Sequence, residues 1–143
     1  MALAEGRVFE YTKDLSEIGT QYLETFNYEG ERQRILIETN EFSAVCPFSG
    51  LPDIAYVRIT YIPKDRIIEL KSLKYYFVSF RRIGIAQETV TKTIYKHLQE
   101  MLHPEALHVV TRYQTRGGID VTCDVGKPIQ EVSIGDEAQE DPK

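Results

Sequence analysis

The sequence predicts an α+β domain in which an antiparallel sheet carries two helices on one face. Runs with the two-residue alternation of strands occur in two pairs, and two segments with helical spacing lie between the pairs. The order is therefore β-β-α-α-β-β, which is typical of a two-layer α+β unit. The chain has 143 residues, of which 42% are hydrophobic and 27% charged, as expected for one globular domain.

The first two predicted strands cover residues 33–42 and 54–62. In the first, Ile35 and Ile37 share a face. The apolar face of the second consists of Ala55, Val57, Ile59 and Tyr61. Pro63 begins the turn that ends this strand.

Two helices are predicted next, over residues 69–82 and 87–102. The first has apolar residues at spacings of four and three, namely Leu73, Phe77 and Phe80. The apolar stripe of the second contains Val90, Ile94, Leu98 and Met101 or Leu102. His103 and Pro104 end it.

The last two strands are predicted at 107–114 and 118–124, with Gly117 in the turn between them. Cys123 alternates with Ile119 and Val121, which predicts a small residue facing the core.

The chain divides into three parts by pattern. Residues 1–30 are polar and turn-like, which predicts a partly ordered N-terminal arm. The domain covers 31–125, and the acidic tail 126–143 lacks periodicity, so we expect it to be disordered.

The exposed strand edges and apolar residues of this β-β-α-α-β-β unit predict a homo-oligomer. Four strands leave two exposed edges, and Ile35, Ile37 and Val57 are not all expected to point at the two helices. Joining strand edges between subunits into a closed barrel would resolve both problems.

Composition excludes several functions. A net charge of −5 disfavours direct binding to nucleic acid. No apolar run reaches membrane-spanning length and no signal peptide is evident, so we expect no membrane partner and a cytoplasmic location. The two cysteines and three histidines lack ligand spacing, so no metal site is predicted. A disulfide between Cys46 and Cys123 is a less favoured alternative to two free thiols.

The segment 41–53 carries the strongest chemical signal. Cys46 leaves the end of one predicted strand, a turn containing Pro47 and Gly50 follows, and Asp53 opens the next strand. A thiol with an acid brought back beside it suits attack on an electrophile with proton transfer. An inert thiol in a loop is the alternative.

A second motif lies on the first predicted helix, from Glu69 to Phe77. Lys71 and Lys74 share a face, with Arg81 further along it. Taken alone, the pattern favours a solvated basic face.

Together, the Glu69–Phe77 motif and the Cys46 segment resemble the QueF family, the NADPH-dependent 7-cyano-7-deazaguanine reductases of queuosine biosynthesis. The resemblance covers residues 20–124 and is to the short, single-domain branch. It implies the tunnelling fold, with pentameric barrels paired as a decamer.

The resemblance also implies a mechanism. Cys46 adds to the nitrile carbon as a thiolate and gives a covalent thioimide, Asp53 moves the protons, and two NADPH molecules supply two hydrides. The product is 7-aminomethyl-7-deazaguanine.

Further residues follow from the resemblance as binding groups. Glu88 would accept hydrogen bonds from the guanine-like edge of the substrate, and Gln87, where many members have histidine, would also contact the substrate. Other implied substrate contacts are Leu70, Lys71 and Ser72. NADPH would be held by Lys71, Lys74, Arg116 and Gly117. From the residues alone, Glu88 also fits a first-turn glutamate favoured by the helix dipole, and Arg116 a tight turn beside Gly117.

Three alternatives stay open. One is a related tunnelling-fold enzyme acting on a pterin or purine, and another is a relative acting on a nitrile in tRNA without NADPH. The third is a ring that binds a purine without catalysis, because Gln87 departs from the pattern.

Overall fold

The computed structural model describes residues 8–130. Within this range, two short 3-10 turns precede a mixture of strands and two helices. The elements are β1 (Thr25–Asn27), β2 (Ile35–Val45), β3 (Pro52–Ile62), β4 (Arg66–Ile68), α1 (Leu70–Ser79), α2 (Gln87–Leu102), β5 (Ala106–Tyr113) and β6 (Thr122–Val125). The predicted α+β class with antiparallel sheets and two helices is confirmed. Most of the predicted tail, 131–143, lies outside the described residues.

The main sheet has the strand order β2-β3-β5-β6, and every pair is antiparallel. α1 packs on β2, and α2 packs on β5 and β6. β2 and β6 are the edges of this sheet. The closed barrel therefore remains a prediction that would use these two edges.

A second, two-stranded sheet was not predicted. β1 pairs with β4, and the Arg66 guanidinium fastens them by donating to Thr25 Oγ1 at 2.7 Å and to Asn27 Oδ1 at 2.6 Å. Strands of three residues are too short to show a two-residue alternation. The predicted arm thus contributes a strand to the folded unit, while the predicted domain limits stay a prediction.

The strand register changes one of the two observations from which a homo-oligomer was predicted, namely the direction in which three apolar side chains point. Ile35 lies opposite Tyr61, Ile37 opposite Ile59, and Thr39 opposite Val57. Directly paired residues share a face of the sheet, so Ile35, Ile37 and Val57 all face the helices. The expectation that they cannot do so is wrong, because the sequence did not reveal this register.

The opposite face of the sheet is largely polar. Glu38 lies opposite Arg58, and Tyr56 lies opposite Arg112. The Tyr56 hydroxyl donates to the Glu38 carboxylate, and the Arg112 guanidinium lies over the Tyr56 ring at 5.0 Å. This face is not an apolar surface that demands a cover.

β2 ends three residues later than predicted, because it contains a β-bulge. The register shifts between Thr39 and Phe42, after which Phe42 and Ala44 point inward. The bulge changes the phase of the alternation, which is why the pattern ended near residue 42. β3 begins at Pro52, so Asp53 lies inside the strand rather than before it.

Helix α2 has the predicted bounds, and its buried residues include Val90, Ile94, Leu98 and Leu102. It ends at His103, which adopts a left-handed conformation with φ 42°. α1 is shorter than predicted. It begins after Glu69, whose carboxylate accepts the backbone N–H groups of Lys71 at 3.0 Å and Ser72 at 2.7 Å.

The last predicted strand is also shorter, because residues 116–119 form a tight turn instead. Cys123 lies opposite fully buried Thr111 and is half-buried on the helix-facing side, as predicted. Ile119, expected on the same face, is 65% exposed. Its place in the turn, outside β6, removes it from the alternation.

Candidate active site

The turn between β2 and β3 brings Cys46 and Asp53 to the same side of the sheet. Ala44 pairs with Asp53, so their side chains share the helix-facing side, and Cys46 follows Ala44 by two residues. The Cys46 N–H donates to the Leu51 carbonyl, and the Gly50 N–H donates to the Cys46 carbonyl, both at 2.9 Å. These bonds close the turn and hold the thiol beside the carboxylate.

Hydrogen-bond donors in the turn stabilise the Cys46 thiolate. The Ser49 hydroxyl contributes most, followed by the backbone N–H groups of Ser49 and Phe48, and together they lower the pKa of the thiol. Burial and the negative charge of Asp53 act in the opposite direction but are weaker. The result is a larger thiolate fraction at neutral pH, and the thiolate is the nucleophilic form.

Ser49 was missed by sequence reasoning. A hydroxyl three residues after a cysteine, inside a turn, was the available signal, since Ser and Thr in turns commonly bond to groups two or three residues away.

Asp53 is a buried carboxylate with a cationic partner. Its side chain is 6% exposed, and the Arg116 Nη2 lies 3.1 Å from Asp53 Oδ1. The same nitrogen donates to the Pro52 carbonyl oxygen at 2.5 Å. Arg116 was predicted to contact NADPH, and the structure places it on the carboxylate of Asp53.

A tight turn directs Arg116 toward Asp53. Arg116 and Ile119 exchange backbone hydrogen bonds of 3.1 and 3.0 Å around the two residues between them. Those residues, Gly117 and Gly118, have φ of 58° and 77°, which suits a two-residue hairpin turn that needs left-handed conformations at both positions. Gly117, also predicted as a cofactor residue, thus has a backbone role here.

The start of α2 joins this group through Tyr113. The Tyr113 hydroxyl lies 3.5 Å from the Gln87 carbonyl oxygen, to which it donates. Burial raises the pKa of Tyr113 strongly, and the nearby Asp53, Cys123 and Glu88 raise it further. Tyr113 therefore stays protonated and marks the place where β3, β5 and α2 meet. Sequence reasoning missed it, because nothing local distinguishes it from a core tyrosine.

Glu88 lies in the first turn of α2 with its side chain exposed. A carboxylate here is favoured by the helix dipole, and it is also accessible to a ligand near Asp53. Gln87 is half-buried beside it.

A short segment before α2 fixes the helix to the turn that carries Cys46. The Val45 N–H donates to the Ile83 carbonyl at 2.8 Å, and the Ile85 N–H donates to the Val45 carbonyl at 3.0 Å. Gly84 lies between them and packs near Pro47. Val45, which precedes Cys46, is therefore joined directly to Ile85, two residues before Gln87.

The three histidines have structural positions. The His97 Nδ1 lies 2.7 Å from the Tyr76 hydroxyl, His103 ends α2, and the His108 Nε2 lies 2.8 Å from Asp124 Oδ2.

The remaining predicted residues lie on α1, beside a groove of about 480 Å³ between α1 and β2. Leu70, which is 62% exposed, lines it together with Lys74, Arg81 and Ile37. Lys71 is exposed at the start of the helix. Ser72 is buried, and its hydroxyl donates to the Glu69 carbonyl at 2.7 Å and accepts the Glu24 N–H at 3.0 Å.

The structure does not bring the α1 residues to Cys46 within one chain. Leu70 lies beside Ile37, and Cys46 follows Ile37 by nine residues along β2 and its end. At about 3.3 Å per residue, this separation is at most roughly 30 Å. Leu70 therefore lies at the end of the groove remote from the Cys46 turn, whereas Glu41 and Arg81 line the end nearer to that turn.

Within residues 8–130, no three His, Cys, Asp or Glu side chains gather as a metal-binding group would require. In the same range, neither helix has the length and apolar character needed to cross a membrane.

The fold and this group of side chains define a class, namely an α+β protein with an activated thiol beside a buried carboxylate. Comparison with known proteins identifies the family. The family model described as QueF-like protein matches residues 52–131. The chain belongs to this family, and the predicted family is confirmed.

Curated relatives cover most of the chain. A protein of Thermotoga petrophila named NADPH-dependent 7-cyano-7-deazaguanine reductase is 52% identical over 127 residues, which is 88% of this chain and 92% of the relative. A protein of the same name from Thermoanaerobacter pseudethanolicus is 44% identical, with 76% and 83% covered.

A solved structure supports the fold. The apo form of an archaeosine synthase described as QueF-Like superimposes with a TM-score of 0.64 and 20% identity, covering 68% of this chain and 95% of that one. At this identity the likeness extends to the fold alone.

Proposed function

We propose that this protein reduces the nitrile of 7-cyano-7-deazaguanine to the aminomethyl group of 7-aminomethyl-7-deazaguanine. Two relatives that are 52% and 44% identical are named for this NADPH-dependent reaction. The observation that carries the proposal is the pair of an activated Cys46 thiol and a buried Asp53 carboxylate on one side of the sheet.

Cys46 begins the reaction. Its sulfur forms a bond to the nitrile carbon, one π bond of the nitrile breaks, and that electron pair goes to the nitrogen. Asp53 receives the proton of the thiol and delivers it to this nitrogen, which gives a neutral thioimide. Covalent addition divides a difficult reduction into easier steps, because a thioimide accepts hydride more readily than a nitrile does.

NADPH, when bound, supplies the two hydrides that complete the reduction to the amine, one from each of two molecules. Asp53, with water, provides the accompanying protons, and the carbon–sulfur bond breaks to regenerate the Cys46 thiolate. Gln87 can hydrogen-bond the substrate but does not titrate near neutral pH, so it takes no part in this proton transfer.

The exposed cations of α1 fit the phosphates of NADPH. Lys74 and Arg81 line the groove, Lys71 lies at its end, and exposed Leu70 offers apolar contact. A negative protein that binds a polyanion needs such a local group of cations. We assign Lys71 and Lys74 to the phosphates. That Arg116 and Gly117 also contact NADPH stays a prediction.

Glu88 is proposed as the contact for the guanine-like edge. One carboxylate can accept from a ring N–H and an exocyclic amine together, and hydrogen bonds to a charged acceptor are the stronger kind. Its exposure and its closeness to the Asp53 group support this role.

The separation of α1 from Cys46 supports a site shared between subunits. If Leu70, Lys71 and Ser72 are to act on the same substrate as Cys46, they must come from a neighbouring copy of the chain. Exposed Leu70 and 96% exposed Phe48 supply apolar surface for such a contact. We keep a decamer of two pentameric barrels as the proposed assembly, and a cytoplasmic location also stays a prediction.

The proposal is tested by incubating the protein with the nitrile and no NADPH. We expect a mass increase equal to one nitrile molecule per chain. Cys46→Ala should abolish it, whereas Cys123→Ala, which removes the other thiol, should keep it. Two NADPH should then be oxidised per nitrile reduced.

Neither adduct nor NADPH oxidation in the wild-type protein would overturn the proposal. In that case, retained binding of a purine would indicate a ring without catalysis, and tRNA bound to the purified protein would indicate action on a nitrile in tRNA.

A further inference from the structure

Helix α2 begins without a side-chain cap. Ala86 precedes its first residue, and no side chain at this position accepts the free backbone N–H groups of the first turn. Helix α1, by contrast, is capped by the carboxylate of Glu69. Alanine stabilises a helix start less than Ser, Thr, Asp or Asn does. The first turn of α2, which carries Glu88, therefore depends on contacts from elsewhere in the fold.

Hydroxyl groups of β5 provide such contacts. The Tyr113 hydroxyl donates to the Gln87 carbonyl oxygen at 3.5 Å. The Thr91 hydroxyl donates to the same carbonyl at 3.4 Å and lies 2.6 Å from the Thr111 hydroxyl. Because the proton of Thr91 is used on the carbonyl, Thr111 is the donor in the threonine pair. Two routes from β5 thus meet at the first residue of α2.

These hydroxyl groups are buried on the helix-facing side of the sheet. Thr111 and Tyr113 are two residues apart and share that side of β5, and Tyr113 lies opposite Ala55. Tyr113 is 4% exposed, while Thr91 and Thr111 are fully buried. Leaving a buried hydroxyl without a partner is costly, so the contacts hold the helix start in one place.

Tyr113 also lies near the two carboxylates of the candidate site. Burial raises its pKa, and Asp53 and Glu88 raise it further because both lie close enough to act on the hydroxyl. The hydroxyl therefore stays protonated near neutral pH and remains a donor to the Gln87 carbonyl.

We infer that Tyr113 is a positioning residue for recognition of the nucleobase, and that it acts by holding the first turn of α2 so that Glu88 keeps its direction. This inference rests on the proposed function, in which Glu88 accepts hydrogen bonds from the guanine-like edge. Two hydrogen bonds to one carboxylate require a defined orientation. A frayed first turn would spread Glu88 over several orientations, and ordering them would weaken binding.

The experiment uses Tyr113→Phe, which removes the hydroxyl and keeps the ring. In proteins that also carry Cys46→Ala, calorimetry with 7-cyano-7-deazaguanine measures affinity without reaction. We expect the affinity to fall about 3- to 10-fold, as for the loss of one or two buried hydrogen bonds. With Cys46 present, the rate constant of adduct formation at saturating nitrile should change less than about twofold, since the reacting groups stay in place.

Tyr76→Phe is the matched control. Tyr76 is also fully buried, and its hydroxyl lies 2.7 Å from His97 Nδ1 in the middle of α2. Both variants lose a buried hydroxyl that contacts α2, so both should lower the temperature of thermal unfolding. Only Tyr113→Phe should weaken nitrile binding. Thr111→Val, which breaks the second route from β5, should weaken binding in the same direction.

A cap added to α2 should rescue Tyr113→Phe. Ala86 already has the extended backbone of an N-cap residue, with φ −66° and ψ 146°, so Ala86→Ser can supply the missing acceptor. We expect this change to recover part of the lost affinity. Tyr113→Phe combined with Glu88→Gln should bind no more weakly than Glu88→Gln alone, because the two residues act on one contact.

Unchanged affinity in Tyr113→Phe, or an equal loss of affinity in Tyr76→Phe, would overturn the inference. A tenfold slower adduct at saturating nitrile with unchanged affinity would also overturn it, because Tyr113 would then act on the chemistry. Additive losses in the variant with Glu88→Gln would do the same. All of these results leave the proposed function standing, because the wild-type adduct is its separate test.

Discussion

The Cys46 turn and the α1 groove are built in opposite ways. The group around Cys46 draws side chains from β3, β5, the start of α2 and two turns, and its buried Asp53 carboxylate is paired with Arg116 inside one chain. The α1 residues come from one continuous segment, and several of them remain exposed.

The two regions differ in how complete a site each of them forms within one chain. Asp53 already has Arg116, and Cys46 already has the donors of its turn. Leu70 and Lys74, by contrast, face an open groove. A continuous motif thus identifies residues without forming a finished site, and we expect a neighbouring subunit to complete it. Substitutions in the two regions test this contrast.

The largest effect is expected from Asp53→Asn. The amide keeps the shape of the side chain but cannot transfer the proton, so turnover should fall about 10²- to 10⁴-fold. Affinity for the nucleobase should change much less. Steady-state turnover and equilibrium binding of the product amine measure the two effects, and a variant with normal turnover would exclude Asp53 as the proton carrier.

Glu88→Gln should weaken substrate binding before it affects the chemistry. Loss of charge-assisted hydrogen bonds costs about 1.5–3 kcal/mol, or roughly 10- to 100-fold in affinity. Titration calorimetry with the nitrile and the Cys46→Ala protein would measure it without reaction. If affinity is unchanged and only thermal stability falls slightly, Glu88 is a first-turn glutamate favoured by the dipole of α2.

Lys74→Ala should raise the KM for NADPH by about tenfold, because one charged contact to a phosphate is lost.

Mixing Cys46→Ala with Lys71→Ala/Lys74→Ala subunits, after dissociation and reassembly, should recover activity if each site takes Cys46 from one chain and α1 from another. If the mixtures are no more active than the two variant proteins measured separately, the Cys46 turn and the α1 groove serve separate sites.

The smallest effect is expected from Ser49→Ala. The Ser49 hydroxyl is the main cause of the lowered pKa of Cys46, so its removal should raise that pKa toward the ordinary value. The thiolate fraction at neutral pH falls, and alkylation by iodoacetamide should become a few-fold slower, with its pH midpoint moved upward. In denaturant the two proteins should react equally, and equal rates in the folded state would show that the backbone donors suffice.

Much of the fold was predictable because it depends on local periodicity. The apolar stripe of α2 and the inward face of β3, from Ala55 to Tyr61, are regular, and both were predicted correctly. The errors occur where the period is broken or too short. The bulge of β2 changed the phase, and β1 and β4 have three residues each.

The candidate site was predictable in part for the same reason. Cys46 and Asp53 flank one turn, so their closeness follows from a local chain reversal. Ser49 lies in that turn and could have been inferred. The positions of Tyr113 and Arg116 beside Pro52 and Asp53 could not have been inferred. Each of these contacts joins residues that are more than 50 positions apart in the chain.

Local sequence features were enough to assign the class of fold, the helix α2, the closeness of a thiol and an acid, and the family. These depend on side-chain periodicity, turn chemistry and contiguous motifs, which act over a few residues. Long-range packing was needed to show that Arg116 lies on Asp53, that Tyr113 lies near Asp53 and Glu88, and that Leu70 lies at the end of α1 remote from Cys46. The order β2-β3-β5-β6 and the register of its strands set those distances, and they arise from packing the whole sheet against two helices.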